Sequence, residues 1–395
     1  MPEVAYLFER FPSFGQTFCY REVAELERQG ARLHLFSIRR PTDELAQDWD
    51  RGQVQRVVYL PEEKILVPEI ERALRKKAVS SEARGAIDGW GRRSDFLRLY
   101  QAVYVGMRMR EAGVRHVHAH FAGMAARTAY WIREFFGATY SFTAHANDIF
   151  APREFDVSLP KLISNAAAVV SVSDYAVGLL RQKFGESAAR VRRVYNGIDL
   201  SRFPGAQPNP GRPSIISVGR LIEKKGFTDV LDACAILKSN GHAFICSIIG
   251  EGPLEETIRS RIASAGLQGL VELTGPLPQH EIAARLAGAT VFALPCVREA
   301  DGSMDNLPTV IMEAMAAGLP VISTPLAGIP EMVEPGVNGE LVPERAPPML
   351  AKAIAQLLTD RDRAAQLGRR GREIAREKFS IETSAAELRG IFAEL

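Results

Sequence analysis

Short apolar runs alternate along the whole chain with longer stretches whose apolar residues return every three or four positions. In the first half the short runs are Val4–Phe8, Leu33–Ile38, Val57–Leu60, His116–His120, Thr139–Thr143, Val169–Val172 and Val191–Tyr195, and each reads as a strand. The spacing between them predicts helices over Thr17–Gln29 and Ala122–Phe136. Gly30 and Gly137 close them, glycine being the residue that most easily takes the left-handed conformation at a helix end. The segment FPGAQPNPGRP, Phe203–Pro213, then sets four prolines and two glycines where neither a helix nor an inner strand can form. Beyond it the alternation resumes. Strands are expected at Ser214–Val218, Phe244–Ile249, Val271–Leu273, Val291–Leu294 and Val321–Ser323, and helices at Thr228–Ser239, Leu254–Ala265, Gln279–Leu286, Val310–Ala317, Pro348–Thr359 and Arg361–Lys378.

Alternation of this kind predicts βαβ units and parallel sheets, hence an α/β protein of two doubly wound, Rossmann-like domains. The expected division is a first domain over residues 1–203, a linker over 204–213, a second domain over 214–379, and a last helical stretch over 380–395 that crosses back to the first. Ligands of such sheets bind beyond the carboxyl ends of the strands, so two facing domains would hold a ligand in the cleft between them.

Composition narrows the class. The 395 residues are 46% apolar and 24% charged, which excludes fibrous and broadly disordered chains. No apolar run is long enough for a transmembrane helix, and the opening MPEVAYLF lacks the pattern of a secretory signal. Cys19, Cys234, Cys246 and Cys296 lie far apart with no C-x-x-C spacing, so they are expected as reduced core residues of a cytoplasmic protein. Residues 1–203 carry 30 Lys and Arg against 24 Asp and Glu, and the remainder 19 against 23, which is no footprint of a nucleic-acid binder. Residues 64–115 hold 12 basic and 6 acidic side chains among apolar ones. That stretch is either a solvated arginine-rich face or a peripheral contact with the cytoplasmic membrane.

Several segments carry candidate chemistry. In VGRLIEKKG, Gly219 allows a tight turn after a strand, and Arg220 and Lys225 together suit a diphosphate; the plain alternative is a solvated basic loop. In IGEGP, Gly250 and Gly252 let backbone N–H groups approach a ligand, or simply turn the chain from strand to helix; the full dinucleotide fingerprint is missing. In MDNLPTVIMEAMAAG, Asp305 lies on a loop and Glu313 on the helix after Pro308, where a carboxylate could accept two hydrogen bonds from a vicinal diol. The alternative for Glu313 is an acid favoured by the helix dipole in the first turn, although its apolar surroundings make an unpartnered carboxylate costly. His145, at the end of a strand, suits a sugar hydroxyl or acid–base work. His116, His118 and His120 alternate along another strand and share one face, but with no acidic or cysteine ligand near in sequence no metal site is read. FPSFGQT, around Gly15, suits an anionic or hydroxylated ligand, or caps the helix that follows.

Taken together, these segments resemble the retaining GT-B glycosyltransferases of the group 1, family 4 type. The resemblance covers nearly the whole chain. It is carried by VGRLIEKKGF, IIGEGPLEE, VELTGPL, DNLPTVIMEAMAAGLPVIST and GIPEMVEPGVNGELV. In the first half FERFPSFGQTF, VHAHFAG, YSFTAHANDIF, VVSVSDY and VYNGIDLSRF look like the exopolysaccharide, colanic-acid-like branch. The resemblance implies that Arg220 and Lys225 hold the donor diphosphate, that Glu313 binds the ribose, and that His145 approaches the sugar near its 6-hydroxyl. It implies that Asp305, where the family usually has Glu, contacts the transferred sugar, with Asn306, Leu307 and Pro308 lining that pocket. Gly15, Gly219, Gly250 and Gly252 would shape the nucleotide site, with Leu277 near the base. Glu299 and Asp301 are possible substitutes for Asp305.

The implied reaction moves a hexosyl group from a UDP- or GDP-linked sugar to a glycan, lipid-linked or small-molecule acceptor, with retention and with neither metal nor cofactor. The alternatives are a non-catalytic sugar-nucleotide-binding protein of the same fold, or a GT-B epimerase or phosphorylase.

Overall fold

The computed structural model describes residues 3–42, 47, 49–76, 79–91, 93–151, 154–207 and 211–395. Along β1 (Glu3–Arg10) the side chains alternate: Val4, Tyr6 and Phe8 enter one apolar cluster, Ala5 and Leu7 another. A strand buried on both faces belongs inside a sheet covered by helices on both sides, which is why it reads as an unbroken apolar run. β2 (Arg32–Arg39), β3 (Val58–Tyr59), β4 (His116–His120), β5 (Thr139–Ala144), β6 (Ala168–Ser171) and β7 (Val191–Arg193) complete a parallel sheet in the order β3-β2-β1-β4-β5-β6-β7. The helix Thr17–Arg28 covers one face. The other packs against helices that include Phe96–Glu111 and Met124–Phe136.

The second sheet is built in the same way from β8 (Ser214–Val218), β9 (Ile245–Ile249), β10 (Val271–Gly275), β11 (Val291–Ala293), β12 (Val321–Ser323) and β13 (Gly339–Leu341), in the order β10-β9-β8-β11-β12-β13. The short strand β13 escapes the sequence pattern because it opens on a glycine. A Cβ at Gly339 would stand 2.0 Å from the Val321 carbonyl oxygen, so packing forbids the side chain that would have marked a strand.

The chain divides into two compact units. One holds most of the chain up to Tyr195 together with Ser384–Leu395, the other Asn196–Thr383. The division therefore falls ahead of the proline-rich segment. That segment is tied down within the second unit: Gln207 N–H donates to the Ala287 carbonyl at 2.7 Å, and Arg372 and Arg361 donate to the carbonyls of Phe203 and Gly211 at 3.0 and 3.2 Å. With no ladder to pair in, these backbone carbonyls take arginine side chains as partners. Residues 208–210 of the expected linker lie outside the described residues. At the far end the helix Ile381–Ala393 brings Ala385, Leu388, Ile391 and Phe392 into the same apolar cluster as Val4, Tyr6 and Phe8.

Each sheet reverses its strand order once, between β1 and β4 in the first and between β8 and β11 in the second. The loops leaving the carboxyl ends of those four strands are where this architecture places ligands.

Candidate functional site

The loop after β8 carries Gly219, Arg220 and Lys225. Two neighbours fix its path. Leu221 N–H donates to the Glu251 carbonyl at 2.8 Å, and Lys224 N–H donates to Glu299 Oε1 at 3.1 Å. Gly250 answers a steric need inside this arrangement, since a Cβ there would lie 1.9 Å from the Gly219 carbonyl oxygen, at φ +145°. A Cβ on Gly252 would meet the Leu221 backbone at 2.7 Å. Both glycines therefore let two loops touch, so the turn reading accounts for them without a ligand. Arg220 is exposed.

The loop after β11 runs to Pro308 and brings in Asp305. Lys225 Nζ lies 2.6 Å from Asp305 Oδ2, and Lys224 Nζ stands 3.8 Å from Asp305 Oδ1. Burial works against the Lys225 cation, but Asp305 and Cys296 outweigh it and hold the ammonium above its ordinary range. The two acids named as substitutes for Asp305 have loop duties: Glu299 receives Lys224 N–H, and Asp301 Oδ1 accepts from Ser303 N–H at 2.8 Å. Asn306, Leu307 and Pro308 are buried and lead into the helix Thr309–Ala316.

Glu313 is buried in that helix, beyond its first turn, which contains no acid, so the dipole reading does not account for it. Its Oε1 accepts from Gln279 Nε2 at 3.3 Å. Gln279 begins the helix after β10, two positions past half-buried Leu277. The segments that follow β8, β11 and β10 thus supply Lys225, Asp305 with Glu313, and Gln279.

The other predicted residues sit on the first unit. Gly15 is exposed on a short turn after β1, and a Cβ there would meet nothing within 4 Å. Neither Ser13 nor Gln16 caps the following helix with its side chain, so the capping alternative for this loop is not realised. His145 follows β5 and is 6% exposed. Its backbone N–H donates to Asp148 Oδ2 at 2.9 Å, and Phe18 and Phe121 close on its ring at 5.0 and 4.3 Å. Burial raises Asp148 to about 6.

The three histidines of β4 share one face, as their alternation requires. His116 spans Thr139 and Ser141, both at 2.8 Å, and His118 spans Ser141 and Thr143 at 2.8 and 3.1 Å. His120 contacts Glu22 Oε1 at 2.9 Å and His145 Nε2 at 3.3 Å. Ligand atoms of Glu22, His118 and His120 lie within 4.8 Å of one another. A cation there would have to displace hydrogen bonds that already occupy both nitrogens of His118. Glu22 is the member of this cluster that motif reading passed over. The available signal was the i, i+3 spacing of Cys19 and Glu22 on the apolar side of their helix.

Comparison with known proteins bears on the family and the fold. A glycosyl transferases group 1 family model matches residues 202–374, and a glycosyltransferase family 4 model matches residues 15–202. Over 285 residues, 70% of each chain, the protein is 37% identical to WcaL of Escherichia coli K12, named for colanic acid biosynthesis. It is 46% identical to the amylovoran biosynthesis glycosyltransferase AmsK of Erwinia amylovora over 143 residues, 36% of this chain and 35% of that one. The chain belongs to the group 1 glycosyltransferases. Its fold is GT-B: Anabaena Alr3699/HepE, solved in complex with UDP-glucose, matches with TM-score 0.73 at 17% identity, covering 99% of this chain and 100% of that one. No helix among the described residues is long and apolar enough to cross a membrane.

Proposed function

We propose that this glycosyltransferase moves a hexosyl group from a UDP- or GDP-linked sugar to an acceptor hydroxyl of a surface exopolysaccharide, with retention at the anomeric carbon and without a metal ion. The observation that carries the reading is the convergence of Lys225 and Asp305 from the two loops at the switch point of the second sheet. A diphosphate held there meets the Lys225 ammonium, the Arg220 guanidinium and the free N–H groups that open the helix Thr309–Ala316. These fixed charges stabilise the negative charge that grows on the leaving phosphate as the glycosidic bond breaks, the task a divalent ion performs elsewhere. The leaving oxygen then takes the acceptor proton on the same face of the sugar, which preserves the configuration.

Glu313 accepts hydrogen bonds from the ribose diol, with one oxygen steadied by Gln279. Asp305 turns to a hydroxyl of the transferred sugar once the diphosphate occupies Lys225. Gly15 leaves room for the phosphates beside its turn, and His145 meets the sugar near its 6-hydroxyl. The names of two relatives, for colanic acid and amylovoran, support a surface glycan as the product. A solved neighbour of the same fold binds UDP-glucose, which supports a nucleotide-sugar donor. A lipid-linked acceptor would bring the arginine-rich stretch 64–115 to the cytoplasmic membrane face, and flotation with anionic vesicles at low salt tests that contact.

The deciding experiment incubates the purified protein, in excess EDTA, with a panel of UDP- and GDP-hexoses and candidate acceptors, and reads the anomeric configuration of the product by proton NMR. Transfer with retention is expected. An inverted product overturns the stereochemical claim, and loss of activity that only a divalent ion restores overturns the metal-free one. Donor binding with neither transfer nor hydrolysis would assign a binding protein instead.

A further inference from the structure

Two neighbouring lysines of the second unit reach one carboxylate. Glu223–Lys225 is a single 3₁₀ turn, in which successive side chains leave the axis about 120° apart. Lys225 and Lys224 therefore approach Asp305 from different sides. The first sets its Nζ 2.6 Å from Oδ2, the second 3.8 Å from Oδ1. Cys296 Sγ donates to the same Oδ2 at 3.8 Å. Burial pushes that thiol up, so it keeps its proton and remains a donor.

The two lysines differ in how their backbone is held. Lys224 commits both of its backbone groups to the loop after β11, the loop that carries Asp305. Its N–H donates to Glu299 Oε1 at 3.1 Å, and its carbonyl accepts from Val297 N–H at 3.0 Å. Lys225 N–H bonds within its own turn, to the Ile222 carbonyl at 3.2 Å. Lys224 is 9% exposed, and an ammonium held at that depth is costly unless an anion answers it. Lys224 is thus fixed to the loop of Asp305, whereas Lys225 is the cation assigned above to the diphosphate.

We propose that Lys224 is a positioning residue for Asp305. When a diphosphate takes the Lys225 ammonium, Lys224 holds Oδ1 and keeps the charge of Asp305 compensated, which leaves Oδ2 for a hydroxyl of the transferred sugar. The inference rests on the proposed function, because a bound diphosphate is what parts Asp305 from Lys225. A poorly solvated carboxylate stripped of its cation is strongly destabilising. A second ammonium already within 4 Å of it lowers that cost with no new group moving in. Lys224 therefore acts on donor binding through Asp305, and its effect should vanish when the carboxylate is gone.

The test is a double-mutant cycle on the full chain, read by calorimetric titration of UDP, and separately of GDP, in excess EDTA. Lys224→Met is expected to weaken nucleotide binding at least about tenfold in the wild-type background, because Asp305 then clings to Lys225. In the Asp305→Asn background the same substitution is expected to weaken binding by no more than about threefold, the difference being the coupling between the two residues. Lys224→Arg, which keeps the charge, is expected to recover most of the lost affinity. Equal losses in the two backgrounds would make Lys224 a direct phosphate contact or a remote charge and would overturn the proposal. So would no loss in either background, or no recovery by arginine. Lys224→Gln, a second neutral variant, decides the same comparison if the methionine variant does not fold. A wild type that binds neither nucleotide overturns the reading of the site and this inference with it, whereas equal losses leave that reading standing.

Discussion

The ammonium of Lys225 lies 2.6 Å from the carboxylate of Asp305, at the place proposed above for the donor diphosphate. Asp305 stands in the position of a glutamate in the resembling family, and its side chain is shorter by about 1.5 Å, one carbon–carbon bond. In the free protein that shorter carboxylate ends on the lysine. An incoming diphosphate and Asp305 are two anions seeking one cation, so donor binding and the release of Asp305 are coupled.

This coupling predicts opposite effects on binding and turnover. In Asp305→Asn the competing charge is gone, and a nucleoside diphosphate should bind at least about threefold more tightly, while turnover falls about tenfold as the sugar contact is lost. Asp305→Glu should restore or raise turnover. Calorimetry and initial rates on the same preparations check both, and equal affinities in wild type and Asp305→Asn would remove the competition.

Removing the cation itself should cost more. Lys225→Ala is expected to lower kcat on the order of 10²-fold, the size of one lost charge contact in a transition state. Near-normal turnover in a folded variant would take Lys225 out of the reaction.

Two glycines should respond in opposite ways. Gly250→Ala drives a methyl into the Gly219 carbonyl, 1.9 Å away, and should lower stability by about 2–4 kcal/mol. Gly15→Ala meets open space and should shift stability by less than about 0.5 kcal/mol while raising the donor KM. Thermal unfolding and donor titration separate the two; a Gly15→Ala protein with unchanged KM would return its loop to a plain turn.

The histidine ladder on β4 sets an acid limit. Burial lowers His116 to about 4, so the ring is neutral in the folded chain and charged in the unfolded chain below its ordinary value near 6.5. Its contribution is complete above pH 6.5 and is lost as pH falls toward 4. Urea unfolding at pH 7.5 and 4.5 should show a smaller acid loss in His116→Gln than in the wild type. Equal losses would contradict the assignment.

Much of the fold was legible because a parallel sheet buries its strands on both faces: β1, β8 and β9 stand out as apolar runs between helices. A run of prolines marks irregular backbone but cannot say which unit holds it; the hydrogen bonds from Arg361 and Arg372 tie it to the second. In the site, Lys225 and Asp305 were legible one at a time, but their contact depends on two loops meeting, which spacing does not encode. Glu22 was missed for the same reason, since 98 positions separate it from His120, the ring it contacts. The glycines at 250 and 252 carry an ambiguous signal, since loop contact and ligand approach require the same residue.

The most direct test of the phosphate-gripping loop is a calorimetric titration of UDP, and separately of GDP, into the wild type and Lys225→Ala in excess EDTA. One nucleotide is expected to bind the wild type with Kd between about 1 µM and 1 mM, in the usual range for enzyme substrates, and to bind the variant at least about tenfold more weakly. The same affinity in both proteins, or no binding to the wild type by either nucleotide, would contradict it.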